Sequence, residues 1–401
     1  MTLNLADLYE AVADEVPDRV ALVCGADRRT FAELDRRANR VAHQLMNSGV
    51  RPGEHVGIHM RNSVQFVESL LGCLKARAVP INVNFRYTDS ELTYLYTNAE
   101  LAGIVIDAEF ADVVAAVLPS CPKIRMVLTL GPVAADLEWP ETTVRDFEQA
   151  VHAESEDRDF PERSPQDHYV IYTGGTTGMP KGVVWRHEDF FYAALAGGNP
   201  YGEPYSSGSA MGEAAAASEF TMSFLLTAPL MHGAAVYALF TGFFMGAKQV
   251  LMRNFEPLAA LGLIQDEAIA CLMVVGDAMA RPIADTIAAH GAKYDLSALK
   301  MVGSGGALWS RSVREQLLEL MPGLYLRDGF GASESGNDGT LEVGEDGTMR
   351  LAFNPNVAVV DEHLRPLEPG ADTIGYIARR GHVPVAYFND PEKTAATFPV
   401  V

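Results

Sequence analysis

The chain has 401 residues, 48% of them hydrophobic and 21% charged, which suits two to three domains with sizeable buried cores. Its formal net charge of −21 opposes any general attraction to nucleic-acid backbone or to an anionic membrane face, so a bound nucleotide must rely on local donors and a metal. No uninterrupted apolar run reaches the length of a membrane span, and Cys24, Cys73, Cys121 and Cys271 lack the spacing of a metal or redox site. Free thiols in a reducing cytoplasm are the expectation.

The segment Leu3-Asn-Leu-Ala-Asp-Leu-Tyr-Glu10 is amphipathic and helical in pattern, unlike a basic-then-apolar leader. Short strands are predicted at Val20 to Val23 and His55 to His59. Between them Phe31 to Ser48 reads as a helix, with Leu34, Ala38, Val41, Ala42 and Leu45 on one stripe. Val64 to Lys75 is a second helix, and Ala78 to Val83 and Gly103 to Ile106 are buried strands. The alternation continues through strands at Met126 to Leu130, Val170 to Tyr172, Gln249 to Leu251, Cys271 to Val275 and Lys300 to Val302. This is the pattern of mostly parallel, doubly wound α/β sheets covered by helices. Gly197 to Ser218, rich in Gly, Ser, Ala and Pro, is either a surface loop or a lid. After about residue 340 short strands and Gly/Pro turns suggest a small β module. The expected division is 1–165, 166–340 and 341–401.

Tyr172-Thr-Gly-Gly-Thr-Thr-Gly-Met-Pro-Lys-Gly182 follows the strand ending at Tyr172. Glycines let backbone N–H groups turn toward an anion, and threonine hydroxyls with one lysine add donors and charge. A Walker A loop ends Gly-Lys-Ser/Thr, whereas Lys181 stands between Pro180 and Gly182, so P-loop geometry is not encoded. The ordered positions closely resemble the phosphate loop of the adenylate-forming superfamily, which contains acyl-CoA synthetases, peptide-synthetase adenylation domains and beetle luciferases. The family's usual serine is Gly174 here. Further motifs follow in the family's order. Asp328-Gly-Phe-Gly-Ala-Ser-Glu334 resembles the adenine and magnesium block, and Gly303-Ser-Gly-Gly-Ala307 the turn along which adenine lies. Pro229-Leu-Met-His-Gly233 resembles the segment whose histidine borders the acyl pocket. Ile374 to Gly381 and Tyr387 to Thr394 match the small β subdomain.

The resemblance implies two doubly wound sheets plus a small distorted β-barrel, without the C-terminal α+β lid domain. Phe398-Pro-Val-Val401 precedes the family's ribose-gripping Gly-Asp pair and the lysine of that domain, so slow turnover by residues 1–401 alone is expected. It also implies the site. Thr173, Gly174, Gly175, Thr176, Thr177, Gly178 and Lys181 would hold phosphates, and Glu334 would ligate magnesium. Phe330 would stack on adenine, flanked by Gly329 and Gly331, while Asp328 and Gly305, Gly306 and Ala307 address its edge. Ser333 would contact the α-phosphate. His232, Gly233, Gly276 and Asp277 would border the acid. Thr173, Thr176, Lys181, His232 and Glu334 are the expected catalytic set, with ATP, Mg2+ and coenzyme A as implied cofactors and co-substrates and a homodimer as a common assembly.

The implied reaction is ATP-dependent conversion of a carboxylic acid to acyl-AMP and then acyl-CoA. The carboxylate is already ionised at neutral pH, so it needs no general base, and no Gly-x-Ser-x-Gly elbow occurs. Val184 to Asp189 and Gly276-Asp-Ala-Met-Ala-Arg-Pro282 resemble actinobacterial synthetases that activate fatty acids or sterol side-chain acids. Ala234, Ala235 and Gly242 would leave room for a bulky chain, or else merely reflect coding bias. Amino-acid or aryl-acid adenylation, with Asp277 pairing an α-amino group, is an alternative; a nucleotide- or acyl-binding module without turnover is another.

Overall fold

The computed structural model describes residues 2–399 apart from 140–141, 175–177, 220, 345–347, 353 and 369–372. In chain order the early strands are β1 (Val20–Cys24), β2 (Asp27–Thr30), β3 (His55–His59), β4 (Val79–Asn82), β5 (Leu101–Asp107), β6 (Met126–Leu130) and β7 (Thr143–Asp146). The middle strands are β8 (His168–Thr173), β9 (Lys181–Arg186), β10 (Ser223–Leu226), β11 (Lys248–Leu251), β12 (Cys271–Val274) and β13 (Met301–Gly305). Last come β14 (Tyr325–Ala332), β15 (Gly336–Val343), β16 (Met349–Leu351), β17 (Val357–Val360), β18 (Tyr376–Arg379) and β19 (Ala386–Tyr387).

The apolar strands sort into two sheets. One has five parallel strands in the order β4-β3-β5-β6-β7, and every residue of β3 and β5 is buried, as parallel strands covered on both faces require. The other has nine, β16-β15-β14-β13-β12-β10-β11-β1-β2, parallel in its centre and closed at its edges by antiparallel β2, β15 and β16. Sheet membership does not follow a boundary at residue 165, because Leu22 of β1 registers with Gln249 of β11.

The expected helices are present. Thr30 and Glu33 form a reciprocal capping box at the start of Phe31–Asn47, the side chain of each accepting from the other's backbone N–H. That helix lays its predicted apolar stripe on Val64–Lys75, where Gly72 leaves space that a Cβ would lose to Val41 Cγ1 at 2.5 Å. Lys75, wholly buried at the end of the second helix, donates to Glu10 and to Asp35, the latter at 2.7 Å. Arg158 and Arg163, from the segment leading to β8, bind the same carboxylates.

Two expectations change. Among the described residues no closed barrel forms in 341–401. β16 extends the nine-stranded sheet, β17 and β18 make a separate ribbon, and β19 joins β8 and β9 in a three-stranded antiparallel sheet. Each short strand finds its partner on a different neighbour, so no common cylinder closes. The 197–218 stretch, expected as either a surface loop or a lid, is not all loop, since it contains the helix Gly208–Ala217. Ser207 caps it, and Gly208 and Gly212 let it lie against Ala11 of the first helix, where a Cβ on Gly212 would meet the Ala11 carbonyl at 2.5 Å. The four cysteines are unpaired thiols. Among the described residues no helix is long and apolar enough to cross a membrane.

Candidate active site

The phosphate-loop motif connects two antiparallel strands, with Thr173 of β8 opposite Lys181 of β9. Gly174 and Gly178 are exposed; Gly175, Thr176 and Thr177 lie outside the described residues. The strand ends are pinned by Asn82. Its amide donates to the Tyr172 carbonyl at 3.0 Å and to the Met231 carbonyl at 2.5 Å, and its oxygen accepts from Tyr172 N–H at 3.0 Å. One side chain thus couples the loop to the segment carrying His232. At Gly182 any Cβ would strike the Tyr172 ring at 2.7 Å, which explains the glycine after Lys181.

Ser333 and Glu334 follow the end of β14. Two fasteners from the three-stranded sheet hold this turn: Trp185 Nε1 donates to the Ser333 carbonyl at 3.0 Å, and the Tyr387 hydroxyl donates to Glu334 Oε1 at 2.8 Å. Burial and the neighbouring Glu334 carboxylate push the Tyr387 phenol upward, keeping it a donor. The β14–β15 turn is tight enough that a Cβ on Gly331 would lie 2.0 Å from the Gly336 carbonyl. Just beyond it, buried Asp338 accepts from Ser335 and pairs with buried Arg379 of β18 at 2.9 Å, tying the ribbon to the turn.

Between these elements and the helix Gly233–Phe244 lies a largely apolar cavity of about 510 Å³. Its wall includes Gly305, Gly306, Gly329, Phe330, Gly331 and Ser333 at one end, with His232 and Gly233 opposite. Burial, with the positive charge of Arg86 as a secondary cause, lowers the His232 pKa, so the imidazole is neutral at pH 7. The cavity continues between strands and helix past Leu226 and Met273 to Met301 and Tyr201. Such a shape suits a nucleotide edge at the strand ends and an apolar chain behind it.

Comparison with known proteins agrees with this geometry. Residues 9–386 match the AMP-binding enzyme family. This chain is an AMP-binding enzyme. It is 40% identical, over 100% of its own length and 74% of the relative's, to a medium/long-chain-fatty-acid–CoA/3-oxocholest-4-en-26-oate–CoA ligase of Mycolicibacterium smegmatis. It is 38% identical to a 3-oxocholest-4-en-26-oate–CoA ligase of Rhodococcus rhodochrous, covering 99% of this chain and 73% of that one. In fold it is similar to the N-terminal domain of FACL13 from Mycobacterium tuberculosis, with a TM-score of 0.79, 21% identity, and coverage of 98% of this chain and 93% of that one. The long-chain-fatty-acid–CoA ligase FadD1 from Archaeoglobus fulgidus also gives a TM-score of 0.79, at 21% identity, over 98% of this chain and 77% of that one.

In this AMP-binding enzyme several expected site residues stand elsewhere. Asp328 is buried on the opposite face of β14, where Arg314 approaches to 3.3 Å; burial raises its pKa and Arg314 counters. It is not among the residues that line the cavity. Its neighbours Arg327 and Gly329 do line the cavity. Asp277 does not line the cavity either. It accepts from Ser310 N–H at 2.8 Å and lies 3.5 Å from Arg281; desolvation is the largest single influence and raises its pKa, but these partners together outweigh it and lower the pKa. Gly276, at φ +53°, packs against Leu308 and Ala307, its N–H donating to Ser304 Oγ at 3.0 Å; neither Gly276 nor Ala307 forms cavity wall. Ala234 and Ala235 do line it, but Gly242 does not, since the buried Gln249 amide fills its space. Asn82, Trp185 and Tyr387 were not assigned roles from the sequence; for Trp185 and Tyr387 their positions inside the matching motifs were the available signal.

Proposed function

We propose that this chain activates a fatty or bulky sterol side-chain carboxylic acid with ATP, forming acyl-AMP and then acyl-CoA. The observation that carries the reading is the apolar cavity that runs from Ser333, beside Glu334, to Met301. In the first half-reaction an acid oxygen attacks the α-phosphorus and the bond to pyrophosphate breaks. In the second, the sulfur of coenzyme A attacks the acyl carbon and AMP departs. The chain's task is in-line alignment and charge neutralisation, since the carboxylate arrives ionised.

Thr173, Thr176, Thr177 and Lys181 with the loop N–H groups hold the β- and γ-phosphates in this reading. Phe330 stacks on adenine, the Gly305 and Gly306 backbone meets its edge, and Ser333 contacts the α-phosphate. Neutral His232 borders the acid. Glu334 fits a magnesium ligand, because one oxygen is engaged by Tyr387 and no described basic side chain pairs with it. Among the described residues no cluster of three or more metal-binding side chains forms, which suits a cation ligated mainly by phosphate oxygens and water. When bound, Mg2+ would offset charge on the departing pyrophosphate. The 3-oxo sterol acids and medium to long fatty acids named for the relatives are the first substrates to try.

Glu334→Gln tests this directly. ATP–pyrophosphate exchange should drop at least about a hundredfold with an unchanged melting temperature. Near-normal exchange would remove Glu334 from the mechanism.

A further inference from the structure

Arg327 faces the cavity from β14, on the same side as Gly329 and in register with Gly303 of β13. It is half-buried, next to Tyr201 and Met301 at the end of the cavity remote from His232. Among the described lining residues it is the one permanently charged side chain, and no described carboxylate pairs with it. The acidic neighbour in sequence, Asp328, is on the other face and engaged by Arg314. Tyr201 keeps its hydroxyl near Met301 Sδ at 3.7 Å, with the residue as a whole 58% exposed. Burial raises the Tyr201 pKa while the Arg327 charge pulls the other way, so the phenol stays a donor next to the guanidinium.

A guanidinium carries five N–H donors and does not lose its charge. Until a ligand covers it, the half-buried guanidinium is open to hydration. A purely hydrocarbon chain would strip that water and return nothing, a cost that an acceptor oxygen on the acid removes. Ser333 lies six positions after Arg327, at most roughly 20 Å along the chain and less given the register shift at Phe330/Gly331, so the acceptor is remote from the reacting carboxylate. We propose that Arg327, with the Tyr201 hydroxyl, receives an oxygen carried at the remote end of the acid. The inference rests on the adenylation reading and sharpens its substrate class to acids that bear oxygen at both ends.

The test uses the 401-residue chain and non-hydrolysable acyl-AMP analogues, with dissociation constants measured by calorimetry. Four acyl groups are compared: a 3-oxo sterol side-chain acid, its 3-deoxo counterpart, hexadecanoic acid and hexadecanedioic acid. The wild-type protein should bind at least one oxygen-ended analogue roughly tenfold or more tightly than its plain partner, and the pair with the larger ratio identifies ketone or carboxylate as the acceptor. Arg327→Met should erase that ratio and leave the plain analogues unchanged, whereas Arg327→Lys should keep part of it. Equal affinities within both wild-type pairs, with hexadecanoyl-AMP analogue bound, would overturn the inference and leave adenylation standing. Equal weakening of all four by Arg327→Met would also overturn it. Failure of every analogue to bind would defeat the adenylation reading and this inference with it.

Discussion

The five-stranded sheet and the end of β13 in the nine-stranded sheet use glycine to opposite ends. In the first, the space above Gly57 and Gly103 is taken by neighbours, with Leu101 Cδ1 and Met126 Cγ at 2.9 and 2.8 Å from where a Cβ would be. In the second, Gly305 has nothing nearer than 3.8 Å and Gly306 nothing nearer than 3.7 Å, the latter being Ala234. Glycine alone therefore does not make a cavity. What stands opposite decides: large aliphatic side chains fill one sheet, while Ala234, Ala235 and Ala238 on the helix Gly233–Phe244 leave the other hollow. One half of the molecule uses close packing for stability and the other gives up packing to admit a ligand.

Substitutions can break that contrast. The largest effect is expected for Lys75→Met, beside the filled half, which leaves the buried Glu10 and Asp35 without their shared cation. Urea unfolding should show a loss on the order of 3–5 kcal/mol, with no change in which acid is preferred. The pH response comes next. Burial lowers the His187 pKa to about 4, where its Nδ1 accepts from Leu5 N–H and its Nε2 meets the His168 carbonyl. A depressed folded pKa means that the contribution is complete above about pH 6.5 and fades as pH falls through 4. Relative to His187→Gln, wild-type stability should fall by roughly 3 kcal/mol between pH 7.5 and 4 in parallel denaturation curves. Ala234→Phe should fill the hollow half, cutting adenylation efficiency with bulky acids by about tenfold or more while melting changes little. The smallest effect is expected from Gly57→Ala, whose Cβ crowds Leu101. A loss of about 1 kcal/mol with normal pyrophosphate exchange would confirm that this face only packs.

Much of the fold could be read from the sequence because its central strands and early helices are strongly patterned. β3, β6 and the helix Val64–Lys75 have the boundaries predicted for them. β2, Asp-Arg-Arg-Thr, could not be seen: it is an exposed, polar edge strand defined by pairing with β1 rather than by its own pattern. The helix Gly208–Ala217 was hidden for the reverse reason, because its glycines serve contact with Ala11 and mimic a loop composition. At the site, motif order brought His232, Phe330, Ser333 and the strand-end glycines to one cavity. It gave no sign that Asp328 is buried within reach of Arg314. Gly242 was misread because sequence does not reveal that Gln249 occupies its space.

The partnership of β19 with β9 sets a schedule for the growing polypeptide. Ala386 and Tyr387 pair with Val184 and Val183, so the strand that begins at Lys181 gains its second neighbour only after some two hundred further residues have been made. Tyr387 is also the donor to Glu334. A nascent chain halted before that tyrosine would carry every phosphate-loop residue yet leave the glutamate's hydrogen bond unmade. Contacts of such sequence separation form late and slowly. The two large sheets can thus be assembled on the ribosome while the candidate site stays unfinished until Tyr387 emerges.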